Sequence, residues 1–334
     1  MKRHGSLRRW LFGLARLTIG IGLLVYLVKS KIVDFHSLSR LVAVWPISLA
    51  AIVLLLLDLA LMACRLCLLF RAQGMHFQWA ESLQLTSVSS FFSTFLPGRA
   101  GGDLAKIFYA SKGSSGRRTE IITILLFDRA LGLFSLLLLP LLLVPLFPEL
   151  LRTSVVRAAL LVDTLLALAM MSGFVGCTLA PRRMADWADR RVLLRGSLPV
   201  RRFLETVAGY GRSPGMLSGA LLISLADNLI GTGVLALGLF AVRPASVQAK
   251  LCVMVPLGQI VNSLPLTPGG LGVGETAFHA LFGLAGMHGG ADALLCWRIW
   301  NALVSLLGLF FYLRGIRTRI LELPGNLAEI SVER

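Results

Sequence analysis

Six blocks of nearly unbroken apolar residues divide this chain, at 10–28, 44–70, 121–147, 155–179, 216–242 and 291–313. Each is long enough for a helix to cross a hydrocarbon core of about 30 Å, which takes roughly 20 residues at about 1.5 Å each. Two further blocks, 82–110 and 249–287, are also apolar but are interrupted in the middle by Pro and Gly. The pattern predicts an all-α polytopic membrane protein with six full spans plus two broken helical hairpins, which are either re-entrant or paired short helices.

The interruptions are copies of one another. Leu-Pro-x-x-x-Gly-Gly stands at 96–102 as LPGRAGG and at 264–270 as LPLTPGG, with prolines 168 positions apart (265 − 97) in a chain of 334. The flanks repeat as well. Asp58 precedes Pro97 by 39 positions (97 − 58) and Asp227 precedes Pro265 by 38 (265 − 227). Arg129 follows the first proline by 32 positions (129 − 97) and Arg298 the second by 33 (298 − 265). We therefore expect a single membrane domain over 1–334 made of two repeat units, about 44–147 and about 216–316. Between Asp58 and Asp227 the chain makes an odd number of passages, so the second unit lies upside down relative to the first. The two broken hairpins then enter from opposite faces, and their elbows meet near the midplane.

Composition agrees. With 56% hydrophobic and 15% charged residues and a mean hydropathy of +0.78, the chain is too apolar for a soluble domain. The 33 Lys and Arg exceed the 17 Asp and Glu, and their placement sets the expected orientation, because positive charge marks the cytoplasmic side. The N-terminus (Lys2, Arg3, Arg8, Arg9), the link with Lys112, Arg117 and Arg118, the arginine-rich loop 181–214 and the tail with Arg314, Arg317 and Arg319 all fall on one side. Both termini are thus expected in the cytoplasm. These residues border spans where anionic headgroups lie, so lipid rather than nucleic acid explains the basicity. The first apolar run follows basic residues but lacks a small-x-small cleavage site, so it reads as a retained span. Cys64 and Cys67 have CxxC spacing inside a span with no second pair, which points to neither zinc nor a disulfide.

Backbone that leaves the helix at membrane depth survives only where protein, water or ligand covers its polar groups. Inverted repeats with such breaks are a transporter layout, with the substrate where the broken helices meet. The elbow residues Pro97, Gly101 and Gly102, and Pro265, Pro268, Gly269, Gly270 and Gly272, are therefore candidate binding residues. A helix restarting after each elbow would offer bare N–H groups to a phosphate or carboxylate. Asp58 and Asp227 lie near span centres, where a lone charge costs about 2.5–3.5 kcal/mol on insertion scales. Arg65, two turns after Asp58, faces the same interior, and Arg129 and Arg298 are the natural partners of Asp58 and Asp227. Buried ion pairs that only fix packing, and arginines that engage an anionic headgroup, both fit this pattern. Asp103 with Lys106, and Glu275 with His279, stand at i,i+3 and i,i+4 on the restarted helices. The second pair reads either as a charged helix start or as a proton relay. Asn228 joins the candidates, with Asp128, Asp163 and Asn301 as weaker ones. The glycines 270–274 lack the preceding strand of a dinucleotide loop. No catalytic residues, metal ligands or cofactor are expected.

The stretches FSTFLPGRAGGD (92–103), FDRALG (127–132) and NSLPLTPGGLGVGE (262–275) resemble the transmembrane region of lysylphosphatidylglycerol synthases and their stand-alone flippase-like relatives, over nearly the whole chain. The resemblance implies a bacterial or archaeal cytoplasmic-membrane protein that handles lipids. In two-part members this region is associated with flipping aminoacylated phosphatidylglycerol, while a cytosolic domain makes that lipid. Stand-alone relatives accompany genes of hopanoid, glycolipid or envelope synthesis, which implies a partner enzyme. The polar stretches of this chain are too short for an aminoacyltransferase domain, so synthase activity is not expected of it. Three readings remain open from sequence: a carrier moving or presenting an anionic, aminoacylated or lipid-linked headgroup between leaflets; a membrane subunit or transferase of lipid or envelope synthesis; and a cation-coupled small-solute transporter. The lipid, the direction of movement and the oligomeric state are not encoded in any motif.

Overall fold

The computed structural model describes residues 44–75, 77–95, 100–111, 117–179, 203, 206–211, 213–263 and 273–315. The described residues are helical, with short 3-10 turns and no strands. Five long helices carry the apolar blocks: α1 (Trp45–Ala72), α4 (Arg118–Leu143), α5 (Ser154–Leu179), α6 (Pro214–Val242) and α9 (Gly290–Arg314). All five are long and apolar enough to cross a membrane. The sixth expected span, 10–28, lies outside the described residues, as does most of the arginine-rich loop 181–214.

The interrupted blocks form four shorter helices: α2 (Trp79–Phe95), α3 (Ala100–Ser111), α7 (Leu251–Ser263) and α8 (Val273–Leu284). Twelve residues, the length of α3 and of α8, rise about 18 Å, well short of a hydrocarbon core of about 30 Å. Neither crosses alone. α3 folds back on α2, and α8 on α7, so each block is a helical hairpin. In the first hairpin the Ser89 hydroxyl donates to the Gly102 carbonyl at 3.0 Å, holding the two arms together.

The long helices are apolar all round, as helices between lipid and a protein interior are. On α1, Ala51, Leu55, Leu59 and Ala63 face inward at four-residue spacing, while Leu49, Val53, Leu56 and Leu57 are exposed. Local sequence marks the ends. Proline stands in the first turn of α1 and opens α6, where its missing N–H has no helical role. Gly289, at φ 89°, turns the chain into α9 through the left-handed region that glycine enters without penalty.

Helix packing follows a consistent pattern. α1 lies along α6, the most extensive helix pair in the fold. α2 packs on α9 as α7 packs on α4, and α3 packs on α4 as α8 packs on α9. Exchanging α1–α4 with α6–α9 thus carries each of these contacts onto another that exists. Two apolar clusters lie at opposite ends of α4 and α6. One joins Leu66, Leu69 and Phe70 to Ile121, Ile124 and Ala220, and the other joins Leu235 and Leu239 to Phe278, Phe282 and Ala293. Between them the middle of the bundle is polar.

Candidate functional site

That polar middle contains a cavity of about 390 Å³. It is reached by the central stretches of four long helices: Leu55 to Arg65 of α1, Asp128 to Leu136 of α4, Asp227 to Thr232 of α6 and Trp297 to Val304 of α9. Both hairpins complete the wall. α2 presents Thr86, Ser89, Ser90, Ser93 and Thr94, a stripe at three- and four-residue spacing, and α7 presents Gln259, Asn262 and Ser263.

Three groups of charges surround this space. In the first, Arg65 of α1, only 4% exposed, donates through Nε to Asp128 Oδ1 at 2.7 Å, and Lys106 of α3 reaches Asp128 Oδ2 at 3.1 Å. Asp128 therefore sits between two cations, which offsets the desolvation that an isolated buried carboxylate would suffer. The Arg65 Nη1 donates to the Ser224 hydroxyl at 3.1 Å and lies 3.8 Å from Asp227 Oδ2. Gly132 gives the guanidinium room, since a Cβ there would stand 3.3 Å from Arg65 Nη1, a tight contact. Asp58 of α1 and Asp227 of α6 both line the cavity, on helices that pack directly against each other. Asn228 donates to Ser135 Oγ at 2.8 Å, tying α6 to α4.

The other two groups are alike. Arg129 of α4 forms an ion pair with Asp103 in the first turn of α3, and Arg298 of α9 with Glu275 in the first turn of α8, at 2.9 Å from Nε to Oε1. Each pairs an arginine of a long helix with the acid that opens the returning arm of a hairpin. They differ in exposure. The Arg129 and Asp103 side chains are 43% and 36% exposed, whereas the Arg298 side chain is 9% exposed and also contacts Asn262 Oδ1 at 3.4 Å.

Most of the sequence candidates meet here, but with different partners. Asp58, Arg65, Asp103, Arg129, Asp227, Asn228 and Arg298 all line the cavity, and Glu275 stands behind Arg298. The expected Asp58–Arg129 and Asp227–Arg298 pairs are corrected: the arginines take Asp103 and Glu275, while Asp227 lies 3.8 Å from Arg65. The hairpins cause this, because they bring the first turns of α3 and α8 against α4 and α9. Glu275 therefore serves Arg298, and His279 is exposed.

Gly102 also departs from expectation. A Cβ there would overlap the Ser93 hydroxyl and the Ser89 carbonyl, so this glycine lets α3 approach α2 and is not bare backbone offered to a ligand. Gly101 is half-buried in the first turn of α3. Pro97, Pro265, Pro268, Gly269, Gly270 and Gly272 lie outside the described residues. Of the weaker candidates, Asp128 and Asn301 line the cavity, whereas Asp163 of α5 is buried away from it. Sequence reasoning gave too little weight to Lys106 and Asp128 and missed Gln259, Asn262 and the hydroxyl stripe of α2. The three- and four-residue rhythm of that stripe was a readable signal.

A family model described as the lysylphosphatidylglycerol synthase TM region matches residues 13–308. No curated protein and no solved structure matches the chain.

Proposed function

Because the chain belongs to the lysylphosphatidylglycerol synthase transmembrane-region family, a membrane family of lipid and envelope biosynthesis, we propose that it moves lipid headgroups between leaflets through the mid-bundle cavity. The observation that carries this reading is the meeting of four charged spans and two hairpins on one polar space at the middle of the bundle. A volume of about 390 Å³ falls within the roughly 300–1,000 Å³ of small-molecule sites, which suits a headgroup while the acyl chains stay in the bilayer.

Within this proposal the units 44–147 and 216–316 are inverted copies, and the exchange-related packing of α1–α4 and α6–α9 supports that assignment. Rocking of one unit against the other opens the cavity to each leaflet in turn, as inverted-repeat carriers do. Arg129 is the first contact for an anionic headgroup. Its half-exposed pair with Asp103 is weakly held, so a phosphate can take the guanidinium by a bidentate, charge-assisted bond. Arg298 plays the same part from the other unit, more deeply set, with Asn262 beside it. The serines and threonines of α2 replace water around the headgroup as it crosses. The orientation follows the basic links, with both termini in the cytoplasm.

Purified protein reconstituted in liposomes with a headgroup-labelled anionic phospholipid tests this. Label should move between leaflets with no second substrate present. Movement only when an acceptor or donor molecule is added would instead make the chain a transferase or its membrane subunit.

A further inference from the structure

Over residues 121–140, α4 is enclosed by protein except along one line. Leu126, Arg129 and Leu133, at i, i+3 and i+7 on one helix face, are the exposed residues of that stretch. Arg129 lies 11 residues into the helix (129 − 118), about 16 Å from its start and well inside the span. The neighbouring α3 turns Lys106 inward to Asp128 and leaves Leu104 and Phe108, one turn apart, exposed on its outer side. Asp103 bridges the two helices through its pair with Arg129. Arg129, Leu133 and Asp103 line the cavity, whereas Leu126, Leu104 and Phe108 stand outside it. The line between α3 and α4 is therefore a slot that leads from the cavity to the bilayer, apolar on both banks and cationic at one point.

The matching place in the other half of the chain is shut. Arg298 stands 33 positions after its proline, as Arg129 stands 32 after the first. Its neighbours Leu295 and Ala302, three before and four after, correspond to Leu126 and Leu133, yet they are half-buried and buried, and no residue from 293 to 302 is exposed. Packing differs in the same sense. α8 lies on α9 more extensively than α3 lies on α4, and α2 covers α9 more than α7 covers α4. The opening thus belongs to the α3–α4 gap and not to arginine-bearing spans in general.

We propose that the slot between α3 and α4 is a lateral portal that binds an anionic phospholipid, its phosphate on Arg129 and its acyl chains leaving over Leu126, Leu104 and Phe108 into the bilayer. An amphiphile matches the slot as a soluble anion does not. The guanidinium takes the phosphate by charge-assisted bonds, and the apolar banks are covered by the chains attached to it. α3 rises only about 18 Å and ends at Ser111, next to the basic link 112–118, so the portal serves the leaflet on the side of that link. Onward passage of the headgroup through the cavity rests on the translocation reading above; the portal itself does not.

Photo-crosslinking in phosphatidylcholine nanodiscs tests the portal without requiring any lipid to cross. Trace phosphatidylglycerol and trace diacylglycerol, each with the same diazirine-bearing acyl chain, are compared, and labelled residues are identified by mass spectrometry. Phosphatidylglycerol should label Leu126, Leu104 and Phe108 severalfold more than diacylglycerol does, while the two should label Leu165 and Leu168, exposed on α5, alike. Equal labelling at the slot overturns the proposal without recourse to any variant. Arg129→Gln should abolish the preference and leave the α5 labelling in place, which shows that the variant is inserted. A preference that survives Arg129→Gln overturns the proposal, and so does one removed by excess inorganic phosphate at constant ionic strength, which would make the slot a site for the free anion. A preference at the slot with no lipid movement in liposomes supports the portal and refutes the translocation reading instead.

Discussion

Removing Asp128 should cost the fold more than removing any other single charge of the cavity. Asp128 is the shared counter-ion of Arg65 and Lys106, at 2.7 and 3.1 Å, with the three side chains 4–7% exposed. Asp128→Ala leaves both mostly buried cations without the carboxylate they share. Losing one partner of a buried pair costs about 3–5 kcal/mol, chiefly because the other charge is stranded. At about 2–4 °C per kcal/mol for a large domain, the melting temperature in detergent should fall by on the order of 10 °C. Arg65→Met combined with Asp128→Ala should be much less damaged than the sum of the single changes, with a coupling of about 1–3 kcal/mol. The cycle of Asp58 with Arg129, the pairing suggested by sequence spacing, should be additive within about 0.5 kcal/mol. Fluorescence-detected thermal unfolding of the purified variants measures all of these. An Asp128→Ala protein that melts within a degree or two of the parent would refute the charge network as described.

Further outcomes follow from the same geometry. Arg129→Ala should slow lipid movement in liposomes at least tenfold yet change stability by no more than about 1 kcal/mol, because its pair with Asp103 is half-exposed. Arg298→Ala should lower both activity and melting temperature, since it strands Glu275 and Asn262 in a mostly buried site. Gly102→Ala should destabilise by about 1–3 kcal/mol through overpacking between α2 and α3, read as a lower melting temperature; an unchanged one would mean the arms are looser than described. Reporter fusions at Gly196 and after Arg319 should both report cytoplasm, and an external signal at either would reverse the orientation.

The spans were legible because a hydrocarbon solvent imposes length and apolarity on each of them: the expected 216–242 and 291–313 differ from α6 and α9 by a few residues at most. The breaks were legible because Pro and Gly interrupt otherwise continuous apolar runs. The matched spacing of Asp58 and Asp227 was visible in the sequence, but the packing of α1 on α6 that brings both to one cavity was not. Ion-pair partners depend on which helices cross, and the folding back of α3 and α8 supplied Asp103 and Glu275 as nearer acids than any on α1 or α6. Gly102 was misread for a related reason. A glycine beside an elbow and a glycine beneath a packed helix look the same in sequence, and only the position of Ser89 and Ser93 separates them. The α2 hydroxyls give a weak signal in sequence because serine and threonine are tolerated in membrane helices by bonding to their own backbone, as Ser87 and Thr94 do here.

Access to the cavity from both sides is the core of this account, and cysteine labelling tests it most directly. Asn301 lines the cavity from α9, and its amide donates to Thr94 of α2 at 3.3 Å. In a chain whose five native cysteines are replaced, Asn301→Cys in sealed liposomes of known orientation should react with a membrane-impermeant thiol reagent added to either side, and anionic phospholipid with a bulky headgroup should slow the reaction. Labelling from one side alone, or from neither, would contradict a cavity that opens alternately to the two leaflets.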